Sequence, residues 1–362
     1  MNGAGLGFYL LVGILSTLLA SLSERRSRPV GLILSGALLS FVGGFRAYSV
    51  GVDTELYRQG IDYFVSTGQL WWRNSFSYGY GLFVRSIFDV VPSYTAILVV
   101  QAVLTNGLIL ARLWDYRRSC RLGFAAFVYY FTIYPMTLCL SRQLLAVAIV
   151  FFGSRWLDDS RIVRYCMVVL LSAMVHVSAV VGLLAVPISV FLGRKPLSVA
   201  QAGVRAIVGL ASIVGLLVGV RYLSDNYSIY SDRSSEFGLM VPMQFVVLVG
   251  TLLFTGYLQI GGPSLKQRKH LQEGSLQLPV VLYCLGLLLS AGSYIVPNAG
   301  RLGLYFTPFG AVVYAAVVGH NRRVGGGGLV NLFLGTWIVL YFIYAFFINT
   351  ALGIVPYMFV WG

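Results

Sequence analysis

Eleven apolar runs, near residues 6–22, 30–45, 92–111, 121–138, 142–157, 163–192, 206–222, 239–258, 277–295, 301–319 and 328–349, take up most of this 362-residue chain. Ten of them have the length of one spanning helix, which takes about 20 residues at ~1.5 Å each. Only 10% of the residues carry charge, while 58% are apolar; a soluble domain has about a quarter of its residues charged. No soluble surface can be built from such a chain. In hydrocarbon every backbone polar group must be satisfied internally, which leaves helices as the economical answer. The expectation is an all-α, polytopic integral membrane protein with about 11–12 transmembrane helices. It includes a short hairpin near residue 176 and forms a single membrane domain over 1–362, with one large external loop at 46–91.

The basic residues report topology. A net charge of +14 suggests nucleic acid in a soluble protein, but here it is tested first against the positive-inside pattern, and no nucleic-acid partner is expected. The run 163–192 is too long for one upright helix, and is either one tilted helix or two short arms hinged at His176. Two crossings gather the loops 23–29, 112–121, 155–164, 193–205, 259–275 and 320–323 on one side. That side then holds 18 of the 26 basic residues, and the other holds 7 of the 12 acidic ones. One crossing would put Lys266, Arg268, Lys269, Arg322 and Arg323 outside. The expected topology is therefore twelve crossings with both termini outside, or its equivalent with a re-entrant hairpin. Pro29 and Pro92 stand just ahead of apolar runs and mark helix starts. The glycine run 325–328 lacks the preceding strand, lysine and Ser/Thr of a phosphate-binding loop, and reads as a turn. Residues 6–22 have no basic stretch ahead and no cleavage site behind, and read as a retained first helix.

Few ionisable groups lie in or beside the apolar runs, and such groups usually face a cavity or a partner. Arg46 closes the second run, Arg142 opens the fifth, His176 sits within 163–192, and Arg301 opens the tenth. In the twelve-crossing topology all four fall at the outer surface, beneath a loop carrying Asp53. Arginine stays charged and grips phosphate oxygens with two parallel donors, so this constellation suits an anionic headgroup, best a pyrophosphate. Snorkelling of each arginine into lipid headgroups is the plain alternative. Within the loop, 54–66 is expected to form an interfacial helix with Leu56, Ile61, Phe64 and Val65 as apolar members, and Asp53 is a candidate partner for Arg58 or Arg46. Trp71, Trp72, Tyr78 and Tyr80 are either apolar faces for sugar rings or interfacial anchors. Asp158 and Asp159 are expected to pair with Arg155, Arg161 and Arg164 in a short solvated loop. His176, His270 and His320 are far apart, and Cys120, Cys139, Cys166 and Cys284 form no CxxC pair, so neither a metal nor any other cofactor is expected.

The order of short motifs resembles a family. Arg46-Ala-Tyr-Ser-Val-Gly51-Val-Asp53-Thr54 is followed by Tyr57. Gly79-Tyr80, Ser141-Arg142-Gln143 with Ala146, His176 with Ser178, and Arg301 with Tyr305 and Phe306 come after it. This is similar to the EpsG/Wzy-type bacterial polysaccharide (O-antigen or exopolysaccharide) polymerases. One departure is Ser77-Tyr78, where that family often has an acidic residue; it shifts weight to Asp53 and His176. The resemblance implies an inner-membrane glycosyltransferase whose active site faces the exterior. It would move a glycan from one undecaprenyl-pyrophosphate lipid to the terminal sugar of another lipid-linked repeat unit. Arg142 and Arg301 would stabilise the leaving pyrophosphate, with Arg46 seating it. His176 is the first choice of general base and Asp53 the second. Tyr57, Arg58, Trp71, Trp72, Tyr78, Tyr80, Gln143 and Tyr305 would bind substrate. Membrane lipids, a flippase and a chain-length regulator are the implied partners. A lipid-linked oligosaccharide flippase, or a ligase using a lipid A core acceptor, is the alternative.

Overall fold

A computed structural model describes residues 3–26, 28–69, 78–192, 240–254, 276–294, 299–323 and 327–361, and every regular element among them is helical. The run at 206–222 and the loop at 259–275 lie outside the described residues. In chain order the helices are α1 (Gly3–Arg26), α2 (Val30–Gly44), α3 (Thr54–Thr67), α4 (Tyr78–Phe88), α5 (Tyr94–Asp115), α6 (Leu122–Thr132), α7 (Tyr134–Thr137) and α8 (Ser141–Gly153). They continue with α9 (Arg155–Asp158), α10 (Ile162–Val175), α11 (Ala185–Phe191), α12 (Met240–Phe254), α13 (Gln277–Ala291), α14 (Phe309–Arg323) and α15 (Gly328–Ile343). Stretches of 3-10 helix cover Val177–Leu184, Gly292–Tyr294, Ala299–Tyr305 and Thr350–Leu352, and a π-helical turn covers Tyr344–Ile348. Among the described residues three helices, Gly5–Glu24, Tyr94–Asp115 and Gly328–Ile348, are long and apolar enough to cross a membrane, and seven shorter apolar helices accompany them.

Local chemistry sets the helix ends. Pro29 precedes α2, and Ile33 N–H returns to its carbonyl. Gly68, in the left-handed region at φ 71°, stops α3 with its N–H on Phe64 O. The helix expected at 54–66 is present one residue longer, as α3. The run 121–138, expected as one span, breaks at Ile133 because Pro135 cannot donate within the next turn.

The bundle has two distinct polar ends. At one, Tyr9 O–H donates to Ile354 O and Tyr94 O–H to Thr54 O. There the chain's last residues lie against the exit of α2: Ala47 N–H reaches Met358 O, Val360 N–H reaches Phe45 O, and Gly51 N–H reaches Gly353 O. At the other end Arg121 pairs with Glu24 at 2.8 Å and Arg155 with Asp115 at 3.0 Å. The residues at 24, 112–121 and 155–158, grouped on one side by their basic loops, do meet at that second end. The run 163–192 doubles back at His176, since Tyr165 O–H donates to Gly182 O across the two arms and α11 returns beside α9. It is a hairpin, not one tilted helix.

Arg112, on α5, holds the second end together. Only 2% of its side chain is exposed, and its donors reach Ser154 Oγ, Asp115 Oδ2, Tyr116 O–H and, at 2.5 Å, Asp158 Oδ2. Asp158 therefore pairs with a buried arginine of another helix, not with its own loop; only Asp159 keeps a loop partner, Arg161 at 3.8 Å. The reach across 46 residues of sequence hid this from a reading by neighbours. Arg112 is buried while Asp158 is partly exposed, so removing the arginine forfeits charge-assisted hydrogen bonds worth about 1.5–3 kcal/mol without stranding a buried carboxylate. Arg112→Ala is accordingly expected to lower the melting temperature of the detergent-purified protein by several degrees or to abolish its monodisperse elution, whereas Arg161→Ala, at the exposed pair, leaves both unchanged.

Candidate functional site

Four stretches distant in sequence are packed together at the Arg46 end. The first docking contact needs a glycine. Gly51 sits at φ +90°, and a Cβ there would stand 2.3 Å from Leu138 O and 3.0 Å from Cys139 Cα. Next to it Thr54 Oγ1 donates to Val50 O at 2.7 Å and reaches Leu138 O at 3.3 Å. The Arg46–Thr54 loop is thereby laid on the turn that launches α8 with Ser141-Arg142-Gln143.

Arg142 is on the first turn of α8, buried, with Nε donating to Val175 O at 2.8 Å. Its guanidinium lies 5.2 Å from the centroid of the Tyr80 ring, within cation–π range. That stacking depends on Gly79, where a Cβ would meet Met174 Cβ at 2.6 Å and Met174 O at 2.8 Å. Tyr80 is buried and its hydroxyl donates to Gln101 Oε1. It positions the arginine from below.

His176 follows immediately on Val175. It leaves α10 in extended conformation, caps that helix through its N–H on Ser172 O, and holds Ser178 Oγ 2.7 Å from its Nδ1. The same hydroxyl is 2.9 Å from Tyr305 O–H. Tyr305 ends the 3-10 stretch that carries Arg301. This stretch lies tightly on α13: a Cβ on Gly303 would sit 2.1 Å from Ser290 Oγ and 2.3 Å from Gly286 O. Gln143 Nε2 donates to Arg301 O at 3.0 Å and ties the stretch to α8.

Electrostatic coupling confirms one neighbourhood. His176 feels both Arg142 and Arg301. Tyr57 feels Asp53 and Arg142, and Cys139 feels Asp53, Arg301 and Arg46. The structure thus brings together Arg46, Asp53, Tyr57, Tyr80, Arg142, Gln143, His176, Arg301 and Tyr305. Two of these cations have donors to spare. Arg301, partly exposed, makes no side-chain hydrogen bond or ion pair with the described residues. Arg46 is 2% exposed; its Nη1 donates to Gly43 O, while Nε and Nη2 have no partner among the described residues.

The other candidates stand outside these contacts or brace them. Arg58 is held on its own helix by both Glu55 oxygens, at 2.7 and 2.9 Å, and by Asp62 at 2.9 Å. Glu55 and Asp62, not Asp53, are its carboxylate partners. Tyr78 is exposed on α4. Gln143 and Tyr305 are buried with their polar atoms on Arg301 O and Ser178, so they brace the site from within. Trp71, Trp72 and Ser77 lie outside the described residues. Ser178 and Cys139 were given no role by the sequence reading. For Ser178 the available signal was a hydroxyl two residues after a histidine at a helix exit.

Two outcomes test this geometry. Gly51→Ala is expected to cost the left-handed penalty of ~1–2 kcal/mol plus ~1–3 kcal/mol of overpacking. Gly68→Ala, at φ +71° with nothing within 4 Å, costs only the first, so the two melting temperatures should separate. On α3, hydrogen bonds from Arg58, then Gln59, hold the Glu55 carboxyl below its ordinary value. This support is full above the ordinary carboxylate range and is lost as pH falls through the lowered value. Arg58→Ala should return the Glu55 titration, followed by carboxyl 13C NMR, to the ordinary range.

A sequence model described as the EpsG family matches residues 31–359, and no curated protein and no solved structure matches the chain.

Proposed function

The chain belongs to the EpsG family, the family of Wzy-type polysaccharide polymerases, and on that premise we propose that the Arg46 end is where it elongates a lipid-linked glycan. The observation that supports this reading is the Arg301 guanidinium, which makes no ion pair or side-chain hydrogen bond with the described residues and is coupled, like Arg142, to His176. Two fixed positive charges beside an imidazole suit a diphosphate whose charge grows as it leaves.

The substrate is an undecaprenyl-pyrophosphate-linked oligosaccharide, and the site faces the exterior of a bacterial cytoplasmic membrane. The glycan's anomeric C–O bond to the diphosphate breaks, and its electron pair goes to the departing diphosphate oxygen. The anomeric carbon forms its new bond to the terminal sugar hydroxyl of a second lipid-linked unit, whose proton passes to a base. Arg142 is preorganised by Val175 O and the Tyr80 ring, so it loses little freedom when the anion arrives. Arg301 joins it from the 3-10 stretch, its backbone held by Gln143. Arg46, with Nε and Nη2 unpartnered among the described residues, seats the headgroup. His176 and Asp53 stand beside the arginines as the candidates for the proton. Tyr57, Tyr78, Trp71 and Trp72 are the candidate faces for sugar rings. A flippase and a chain-length regulator would act before and alongside it.

The test is elongation by purified protein in lipid, supplied with undecaprenyl-pyrophosphate repeat unit extracted from cells that lack the polymerase. A ladder of longer glycans is expected. Translocation without new glycosidic bonds would mean a flippase, and transfer only to lipid A core would mean a ligase. Arg142→Ala and Arg301→Ala should each slow elongation by roughly 10²–10³, the cost of one lost transition-state donor, while eluting as the parent protein does; full activity in both would discard these roles.

A further inference from the structure

The hydrogen bonds around Ser178 fix which ring nitrogen of His176 carries the proton. Ser178 Oγ is 2.7 Å from His176 Nδ1 and 2.9 Å from Tyr305 O–H, and a hydroxyl has one proton to give. An arrangement in which Nδ1–H and Tyr305 O–H both donate to Ser178 Oγ leaves the Ser178 proton without an acceptor among the described residues, and two directions along this chain remain. In one, Nδ1–H donates to Ser178, Ser178 donates to the phenol oxygen, and the Tyr305 proton must find another acceptor. Tyr305 is fully buried and has no other hydrogen-bond partner among the described residues, so that direction strands a buried donor. In the other, Tyr305 donates to Ser178 and Ser178 donates to Nδ1. Every proton is then used, and only a phenol lone pair is left over, the milder omission. An imidazolium fails likewise, because its Nδ1 must donate and either the Tyr305 or the Ser178 proton is then left without an acceptor among the described residues.

We infer that Ser178 and Tyr305 are positioning residues that hold His176 as the neutral Nε2–H tautomer, making it a hydrogen-bond donor to the leaving diphosphate rather than the base. The inference rests on the polymerase reading for its ligand. With Nδ1 occupied, Nε2 is the nitrogen left to meet substrate, between the fields of Arg142 and Arg301. It gives a hydrogen bond to the diphosphate oxygen that receives the anomeric electron pair and keeps its proton throughout. The acceptor hydroxyl's proton then goes to the Asp53 carboxylate, which shares the Tyr57 and Cys139 surroundings of the arginines.

The test is 15N NMR of the full-length protein in lipid nanodiscs with labelled histidine. The chain has three histidines, and the signals lost in His176→Gln assign this one. The expected result is a protonated Nε2 and an unprotonated Nδ1, with undecaprenyl pyrophosphate shifting Nε2 more than Nδ1, and with mixed tautomers in Ser178→Ala. A proton on Nδ1 in the parent protein overturns the inference. In the elongation assay, His176→Gln offers an amide donor near the Nε2 position but cannot take a proton. It should elongate at least tenfold faster than His176→Ala, and equal loss in the two would overturn the donor role. Failure of the parent protein to elongate would overturn the polymerase reading alone, because the tautomer is read without any substrate.

Discussion

A guanidinium keeps its charge in any protein environment, so an arginine folded into an apolar bundle must be met by partners of the protein or by something it binds. The two ends of this bundle answer that demand in opposite ways. Arg112 is surrounded by Asp115, Asp158, Ser154 and Tyr116, with its guanidinium 4.4 Å from the Tyr116 ring centroid. Its accounts are closed, and it fastens α5 to the turn after α8. At the other end Arg46 and Arg301 keep donors that no described residue accepts. The same residue type is fully partnered at one end and keeps spare donors at the other.

What keeps the second group of cations together is close backbone approach at small residues. Gly51 lets one loop touch the carbonyl of Leu138, Gly79 lets α4 touch Met174, and Gly303 lets the Arg301 stretch touch Ser290 and Gly286. In a lipid environment apolar side chains gain little from meeting one another, and such small-residue contacts take over part of the packing. Side-chain bonds to backbone carbonyls do the rest: Arg142 to Val175 O and Gln143 to Arg301 O. Each functional side chain is therefore braced by a neighbour from a different stretch of the chain.

The last residues of the chain belong to this arrangement. Gly51 N–H and Ala47 N–H donate to Gly353 O and Met358 O, and the Tyr357 hydroxyl donates to Val42 O, which lays the tail along the Arg46 loop. Phe8 stacks on Tyr357 at 4.5 Å, linking the start of α1 to the same surface. The aromatic residues near the tail serve packing, and no charged side chain stands among positions 324–362.

The sequence by itself determined the class of the molecule, because apolar run length and scarcity of charge leave helices in a bilayer as the one way to satisfy the backbone. It also located the hairpin at His176 from the placement of lysines and arginines, the helix after Asp53 from its apolar spacing, and the family from motif order. It could not find Arg112 with Asp158, since that pair is made across helices and each carboxylate had nearer basic neighbours in sequence. Nor could it separate Tyr305 and Gln143, which brace, from Arg301, which keeps free donors: all three read alike as polar groups beside apolar runs. That distinction is one of hydrogen-bond accounting, and donors are counted against acceptors only after the chain has folded and brought remote carbonyls within reach.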